Sequence, residues 1–316
     1  MSTSTTFRNF LASKNPIIID GALATQLEAH GLSLTTRLWS AEVLLHNPAL
    51  IATVHKAYFR AGADIAITAS YQVSEAGFVA AGYMATEALK AVAMSVRIAR
   101  TAAEEVFAQS GGRRCFVAGS VGPYGAALAD GSEYRGDYSL PAEEMRAFHR
   151  PRIRVLLEEG VDVLACETVP SFAEAQALVK LLSEFPDAVA WMSFTLRDAE
   201  HISDGTLLEE VARLLDGCSQ ILAIGVICVP GELVDCALRC LASRTSKPLV
   251  VYPNSGELYD AKTKTWSGSA LGDDDIGKRV HQWQSLGARL IGGCCRTTPD
   301  DIRVIKDTFS YNVQRL

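Results

Sequence analysis

Eight short apolar runs, each separated from the next by enough chain for a helix, restrict this sequence more than any other feature in it. They begin with Pro16-Ile17-Ile18-Ile19-Asp20 and continue at 63–68, 115–120, 161–166, 188–194, 221–228 and 248–253; the last is Arg289-Leu290-Ile291. The intervening segments read as helices. Within 48–61, Leu50, Ile51, Val54, Ala57, Tyr58 and Ala61 recur at a period near 3.6. Further helices are predicted at 24–31, from Leu38, over 85–109 and over 141–159. Strands alternating with helices pack as a parallel sheet, because each parallel pair needs a crossover. With no Gly-rich dinucleotide or P-loop signature, the pattern predicts an α/β fold of the (β/α)8 TIM-barrel type, with a doubly wound open sheet as the alternative. No linker or shift in composition divides residues 1–316, so a single barrel domain is expected.

A barrel gathers the C-terminal ends of its strands on one face. Those ends are predicted at Asp20, Thr68, Ser120, Glu167, Phe194, Cys228, Asn254 and Cys294, with Cys295 adjacent to the last. Neighbouring strand residues point to opposite faces, so Cys294 and Cys295 reach one ion only if the backbone bends, which Gly292 and Gly293 permit. Three thiolates suit Zn²⁺, and three protein ligands leave a fourth position for substrate, as in catalytic zinc sites. A thiol entering that position would be deprotonated on the metal. So sulfur-rich a centre favours donation to an electrophile over polarising a carbonyl. The implied chemistry is alkyl or methyl transfer onto a thiol. Free cysteine is also a common small buried hydrophobe, and Cys115, Cys166, Cys218, Cys236 and Cys240 receive that reading.

Composition narrows the partners. The 316 residues are 48% hydrophobic and 21% charged, with a formal net charge of −6. Scattered Lys and Arg give no basic surface for nucleic acid. No secretory signal is read at the N-terminus, and no apolar stretch has the roughly 20 residues of a membrane span, so a cytoplasmic protein is expected. Eight cysteines in that compartment argue for thiols rather than disulfides. Oligomeric state is not readable.

Several motifs occur in order: Asp20-Gly21-Ala22-Leu23-Ala24-Thr25, Thr68-Ala69-Ser70-Tyr71-Gln72, Gly119-Ser120-Val121-Gly122-Pro123-Tyr124-Gly125, the GSEYRGDY run from Gly131, Ala165-Cys166-Glu167-Thr168, the YPNSGE run from Tyr252 and Gly292-Gly293-Cys294-Cys295-Arg296. Together they resemble the homocysteine S-methyltransferases, above all the bacterial and plant branch that uses S-methylmethionine, over nearly the whole chain. The resemblance implies a (β/α)8 barrel with zinc on Cys228, Cys294 and Cys295, and homocysteine as the fourth sulfur. It implies that Asp20, with Gly21 beside it, and Glu167 hold the amino and carboxylate ends of homocysteine. A carboxylate at a barrel mouth can bind an ammonium group; the lesser readings are a turn-forming Asp-Gly and, for Glu167, a helix-start acid. It places Trp39 and Tyr71 on the donor pocket, where aromatic faces suit a sulfonium cation, although either ring could equally be core. The resemblance also matches Asn254 to a position that in related modules occupies the zinc when substrate is absent, although turn formation explains Asn-Ser-Gly almost as well.

One departure stands out. The family commonly has Asn before the first zinc cysteine, whereas this chain has Ile227-Cys228. Substrate contacts or loop shape there are expected to differ. The methyl donor is expected to be S-methylmethionine, with S-adenosylmethionine the slower alternative. Competing readings are a metal hydrolase, which would favour His and carboxylate ligands that these strand ends lack, and a zinc- or thiol-binding barrel without turnover, for which Ile227 is the hint.

Overall fold

The apolar runs become eight parallel strands: β1 (Ile17–Ile18), β2 (Ile65–Ile67), β3 (Phe116–Val121), β4 (Val163–Val169), β5 (Ala190–Phe194), β6 (Ile221–Ile227), β7 (Leu249–Tyr252) and β8 (Ala288–Ile291). The computed structural model describes residues 3–14, 16–34, 36, 38–260, 265–267, 270 and 272–313. Strands β2 to β8 pair in chain order and β8 pairs with β1. The ring closes through a parallel bridge between Ile19 and Ile65, where the Asp20 N–H donates to the Ile65 carbonyl at 3.0 Å and the Asp64 N–H to that of Ile18 at 2.7 Å. Closure selects the (β/α)8 barrel over the open doubly wound sheet.

Helices cover the outside, among them Pro48–Ala61, Ala85–Gln109, Ala142–Glu158, Phe172–Leu182, Leu208–Asp216, Gly231–Ala242, Asp273–Ser285 and Pro299–Val313. The helix predicted at 24–31 is shorter, Leu23–Ala29, with His30 as its C-cap. The one expected from Leu38 is Ser40–His46. β4 runs past the predicted end at Glu167 to Val169. Unpredicted elements include an N-terminal helix, Thr3–Ser13, an antiparallel ribbon pairing Leu258–Asp260 with Thr265–Ser267, and a short helix, Tyr124–Leu128, within the stretch read as a long loop.

Strand side chains divide by the two-residue period of extended chain. Ile17, Ile19, Ile65, Phe116, Ala118, Val163, Ala165, Trp191, Ala223, Val250 and Leu290 fill the barrel. Ile18, Ala66, Val117, Leu164, Cys166, Met192, Ile224, Val251 and Ile291 face the helices. The N-terminal helix plugs the barrel at the end opposite the strand C-termini: Phe7 and Leu11 join the inner cluster, and Phe10 stacks on Phe116 with centroids 4.3 Å apart. Among the described residues no helix is long and apolar enough to cross a membrane. Of the cysteines read as buried hydrophobes, Cys115 and Cys166 are buried and Cys218 and Cys240 half-buried, but Cys236 is exposed. Helix Gly231–Ala242 buries Val234, Ala237, Leu238 and Leu241 and leaves Cys236 off that face.

Candidate metal centre

Two of the strand ends, those of β6 and β8, deliver three sulfurs to one point. Continued alternation would send Cys228 outward after Ile227, which is buried in the inner cluster. Instead Cys228 takes φ 54°, a left-handed conformation that costs a non-glycine residue on the order of 1–3 kcal/mol and clusters at functional sites. Its Sγ lies 3.5 Å from that of Cys295, and the Sγ atoms of Cys294 and Cys295 are 3.9 Å apart. The three ligand atoms fall within 4.8 Å of one another, the only such group of potential metal ligands among the described residues.

Backbone ladders hold the three loops in register. The Cys228 N–H donates to Tyr252 O at 3.1 Å, Cys294 N–H to Pro253 O at 2.7 Å and Ser255 N–H to Cys295 O at 3.1 Å. Thr297 closes the loop after β8, donating its hydroxyl to Cys294 O at 2.6 Å and accepting the Ala22 N–H at 3.2 Å. The glycines act differently from expectation. Neither Gly292 nor Gly293 has a positive φ; the left-handed turn falls on Arg296, at φ 67°. What excludes a side chain is proximity, since a Cβ on Gly293 would meet Thr297 Oγ1 at 2.4 Å and one on Gly292 the Asp20 carbonyl at 2.7 Å. Arg296 is held by a two-pronged ion pair to Glu257 at 3.0 Å.

The donor set fits a soft metal ion. Hydrogen bonds from the Cys294 and then the Cys295 thiol hold Cys228 well below the usual thiol range, with further help from Tyr134 and Asn254. Serving as donors to that thiolate pushes Cys294 and Cys295 upward. The Asn254 Oδ1 is buried without a hydrogen-bond partner, an oxygen that a cation beside it would satisfy.

Carboxylates line the same mouth. Asp20 and Glu167 are each 5% exposed. Asp20 accepts the Ile67 N–H at 2.9 Å, yet burial, reinforced by the Glu167 charge, raises its pKa well above the carboxylate range. Burial likewise pushes Glu167 up to about 7 against the hydrogen bonds from Ser120 and Tyr252. Tyr252 is fixed from inside the barrel by Trp191 Nε1 at 3.0 Å and Ser193 Oγ at 2.5 Å. Gly21 packs where a Cβ would come within 2.7 Å of Thr297 Oγ1. The half-buried Tyr71 hydrogen-bonds Thr168 and senses the charges of Glu133, Cys228 and Glu167, so it belongs to the mouth. Trp39 is half-buried and packs against the outer core.

Two residues of this mouth were not singled out from the sequence, Glu133 and Tyr134. They sit on the loop after β3, and the Tyr134 hydroxyl lies 3.5 Å from Cys228 Sγ. The length of that loop, with its Gly, Tyr and acidic content, was the available signal.

The family model described as homocysteine S-methyltransferase matches residues 17–309 of this chain. A homocysteine S-methyltransferase of Escherichia coli K12 is 52% identical over 307 residues, covering 97% of this chain and 99% of its own. The homocysteine S-methyltransferase YbgG of Bacillus subtilis is 50% identical over 293 residues, covering 92% and 93%. Among solved structures, the metallated form of the homocysteine methyltransferase MmuM from Escherichia coli superposes with a TM-score of 0.87 at 50% identity, over 95% of this chain and 99% of that one.

Proposed function

Because the chain belongs to the homocysteine S-methyltransferase family, we propose that its three-thiol centre holds zinc and moves a methyl group from a sulfonium donor, S-methylmethionine, to the thiol of L-homocysteine. The observation that carries this reading is the convergence of Cys228, Cys294 and Cys295 within 4.8 Å, beside buried carboxylates at the mouth of a closed barrel. S-Adenosylmethionine is the alternative donor.

When bound, zinc supplies a deprotonated acceptor thiol at neutral pH, and three cysteines leave it one position for that thiol. The residues do the rest. Asp20 and Glu167 are raised chiefly by burial; the ammonium of homocysteine brings them a positive charge and is oriented by them. Tyr71 offers an aromatic face to the sulfonium, and Trp39 could contribute only through its exposed part. The acceptor sulfur attacks the methyl carbon in line as the donor C–S bond breaks. The bonding pair stays on the donor sulfur, which leaves as a neutral thioether, and the thiol proton passes to solvent. Methionine forms from the acceptor and, with S-methylmethionine, from the donor as well. Holding the two sulfurs in line can lower the barrier by several kcal/mol. Ile227, buried within the barrel, brings no polar atom to this step. We place the reaction in the cytoplasm, in a single-domain protein.

Incubation of the purified protein with homocysteine and S-methylmethionine is expected to yield methionine, and a chelator to stop it. Cys294→Ala should lose the bound metal and at least about a hundredfold in turnover, since disturbing even outer-shell partners of a metal costs 10–100-fold. Full zinc content and activity in Cys294→Ala, measured by elemental analysis and methionine release, would exclude this centre.

A further inference from the structure

The loop between β3 and helix Ala142–Glu158 folds back over the cysteines and is fixed there from beneath. The Tyr124 N–H donates to Glu174 Oε1 at 2.7 Å and the Tyr138 hydroxyl to Glu174 Oε2. Glu174 is itself held by His149 at 2.7 Å. Arg152 ties the loop to the segment after β2, donating to Gly122 O at 2.5 Å and Tyr71 O at 3.1 Å. At the tip, Thr195 donates its hydroxyl to Glu133 O at 3.0 Å, and a Cβ on Gly125 would meet the Glu133 nitrogen at 2.7 Å. Glu133 is therefore presented by a built scaffold.

Its carboxylate is out of balance. Oε2 is buried with no hydrogen-bond partner. Arg135 acts on it only through space, its guanidinium being paired with Asp137 at 2.8 Å and Asp130 at 3.8 Å. The groups that feel the Glu133 charge include Tyr71, Tyr134 and Tyr138, and Cys228 acts on it in turn. A carboxylate oxygen buried without a partner, on a group that burial pushes up to about 7 and that lies beside aromatic rings next to the sulfur centre, is one that an incoming positive charge would satisfy and keep ionised. The other acids of the mouth, Asp20 and Glu167, serve homocysteine in the reading above, on which this inference rests.

We propose that Glu133 is the counter-charge for the sulfonium of the methyl donor, with the rings of Tyr71 and Tyr134 walling the same subsite. The charge balance of the reaction gives this a purpose. Transfer converts a cation into a neutral thioether, so a fixed carboxylate attracts the substrate and releases the product. Both products of S-methylmethionine turnover are methionine, which differs from the donor at this centre only by the methyl group and its charge. Because the positive charge disperses on the way to the transition state, Glu133 favours the ground state. It acts on donor affinity and product inhibition rather than on turnover.

The test is equilibrium binding by calorimetry on the metal-loaded protein without homocysteine, using S-methylmethionine and methionine as probes. Wild type is expected to prefer S-methylmethionine. Glu133→Gln should weaken it by roughly tenfold or more, as truncating one member of a buried charge pair does, while leaving methionine within about twofold. Donor KM should rise with kcat unchanged or higher, and methionine should become a relatively stronger inhibitor. Glu133→Asp, which keeps the charge, is the second variant should the first fail to fold, and is expected to retain part of the preference. Equal weakening of both probes would assign Glu133 to the ammonium group and overturn the proposal, as would unchanged S-methylmethionine affinity. Absence of methionine formation by wild type would instead sink the methyltransferase reading itself.

Discussion

His55 illustrates what a single residue conceals. It lies on the buried face of helix Pro48–Ala61 at 1% exposure, and neither ring nitrogen has a partner. Burial lowers its pKa to about 4, so the folded protein keeps it neutral while the unfolded chain, titrating near 6.5, takes up a proton. Its contribution is present above pH 6.5 and is lost as pH falls towards 4, on the order of 3 kcal/mol in all. His55→Met is expected to flatten that decline and to hold or raise stability at neutral pH, as followed by urea unfolding at several pH values. A wild-type slope in the variant would refute the assignment. The apolar stripe over 48–61 does not include His55, and nothing in the sequence shows that its nitrogens find no partner there. Cysteines were more legible, because a soft ligand at a strand end carries its chemistry with it. Glu133 and Tyr134 were not, since their place beside Cys228 depends on a loop folding back across the mouth.

At the scale of elements, apolar runs and crossover lengths sufficed for all eight strands, because burial on both sides leaves a local imprint. The extension of β4 to Val169 was not legible: it includes Thr168 at φ 61°, and only the pairing of Val169 with Phe194 on β5 reveals it. The approach of β6 to β7 is equally hidden. Gly225 pairs with Val250, and a Cβ there would stand 1.7 Å from the Val250 carbonyl oxygen. Gly225→Ala should cost more than about 3 kcal/mol, at the upper end of overpacking effects, because backbone rather than a side chain must yield. It should also weaken metal retention, since Cys228 lies just beyond. Denaturant midpoints within error of wild type would show that the strands part freely.

For the whole molecule, closure is both circumferential and axial. The N-terminal helix seals one end: Phe7 packs edge-on against Phe116 at 5.7 Å, Arg8 reaches Ser219 O at 3.1 Å, and Arg289 donates to Leu11 O at 2.6 Å. Phe7→Ala is expected to destabilise by about 3–5 kcal/mol while leaving metal content unchanged, because plug and mouth are at opposite ends. A loss of zinc in the folded variant, read by elemental analysis, would mean the two ends communicate. The sequence did not disclose this plug, since a short polar-rich segment becomes amphipathic only against the ring it covers.

The sulfurs come from the ends of β6 and β8, whereas Asp20, Glu133 and Glu167 come from β1, the loop after β3, and β4. Under the proposed function, grip on the ion and taste for the substrate are thus lodged in different hemispheres of one ring. Such a division would let the acids be exchanged to shift acceptor or donor preference while the metal ligands stay as they are.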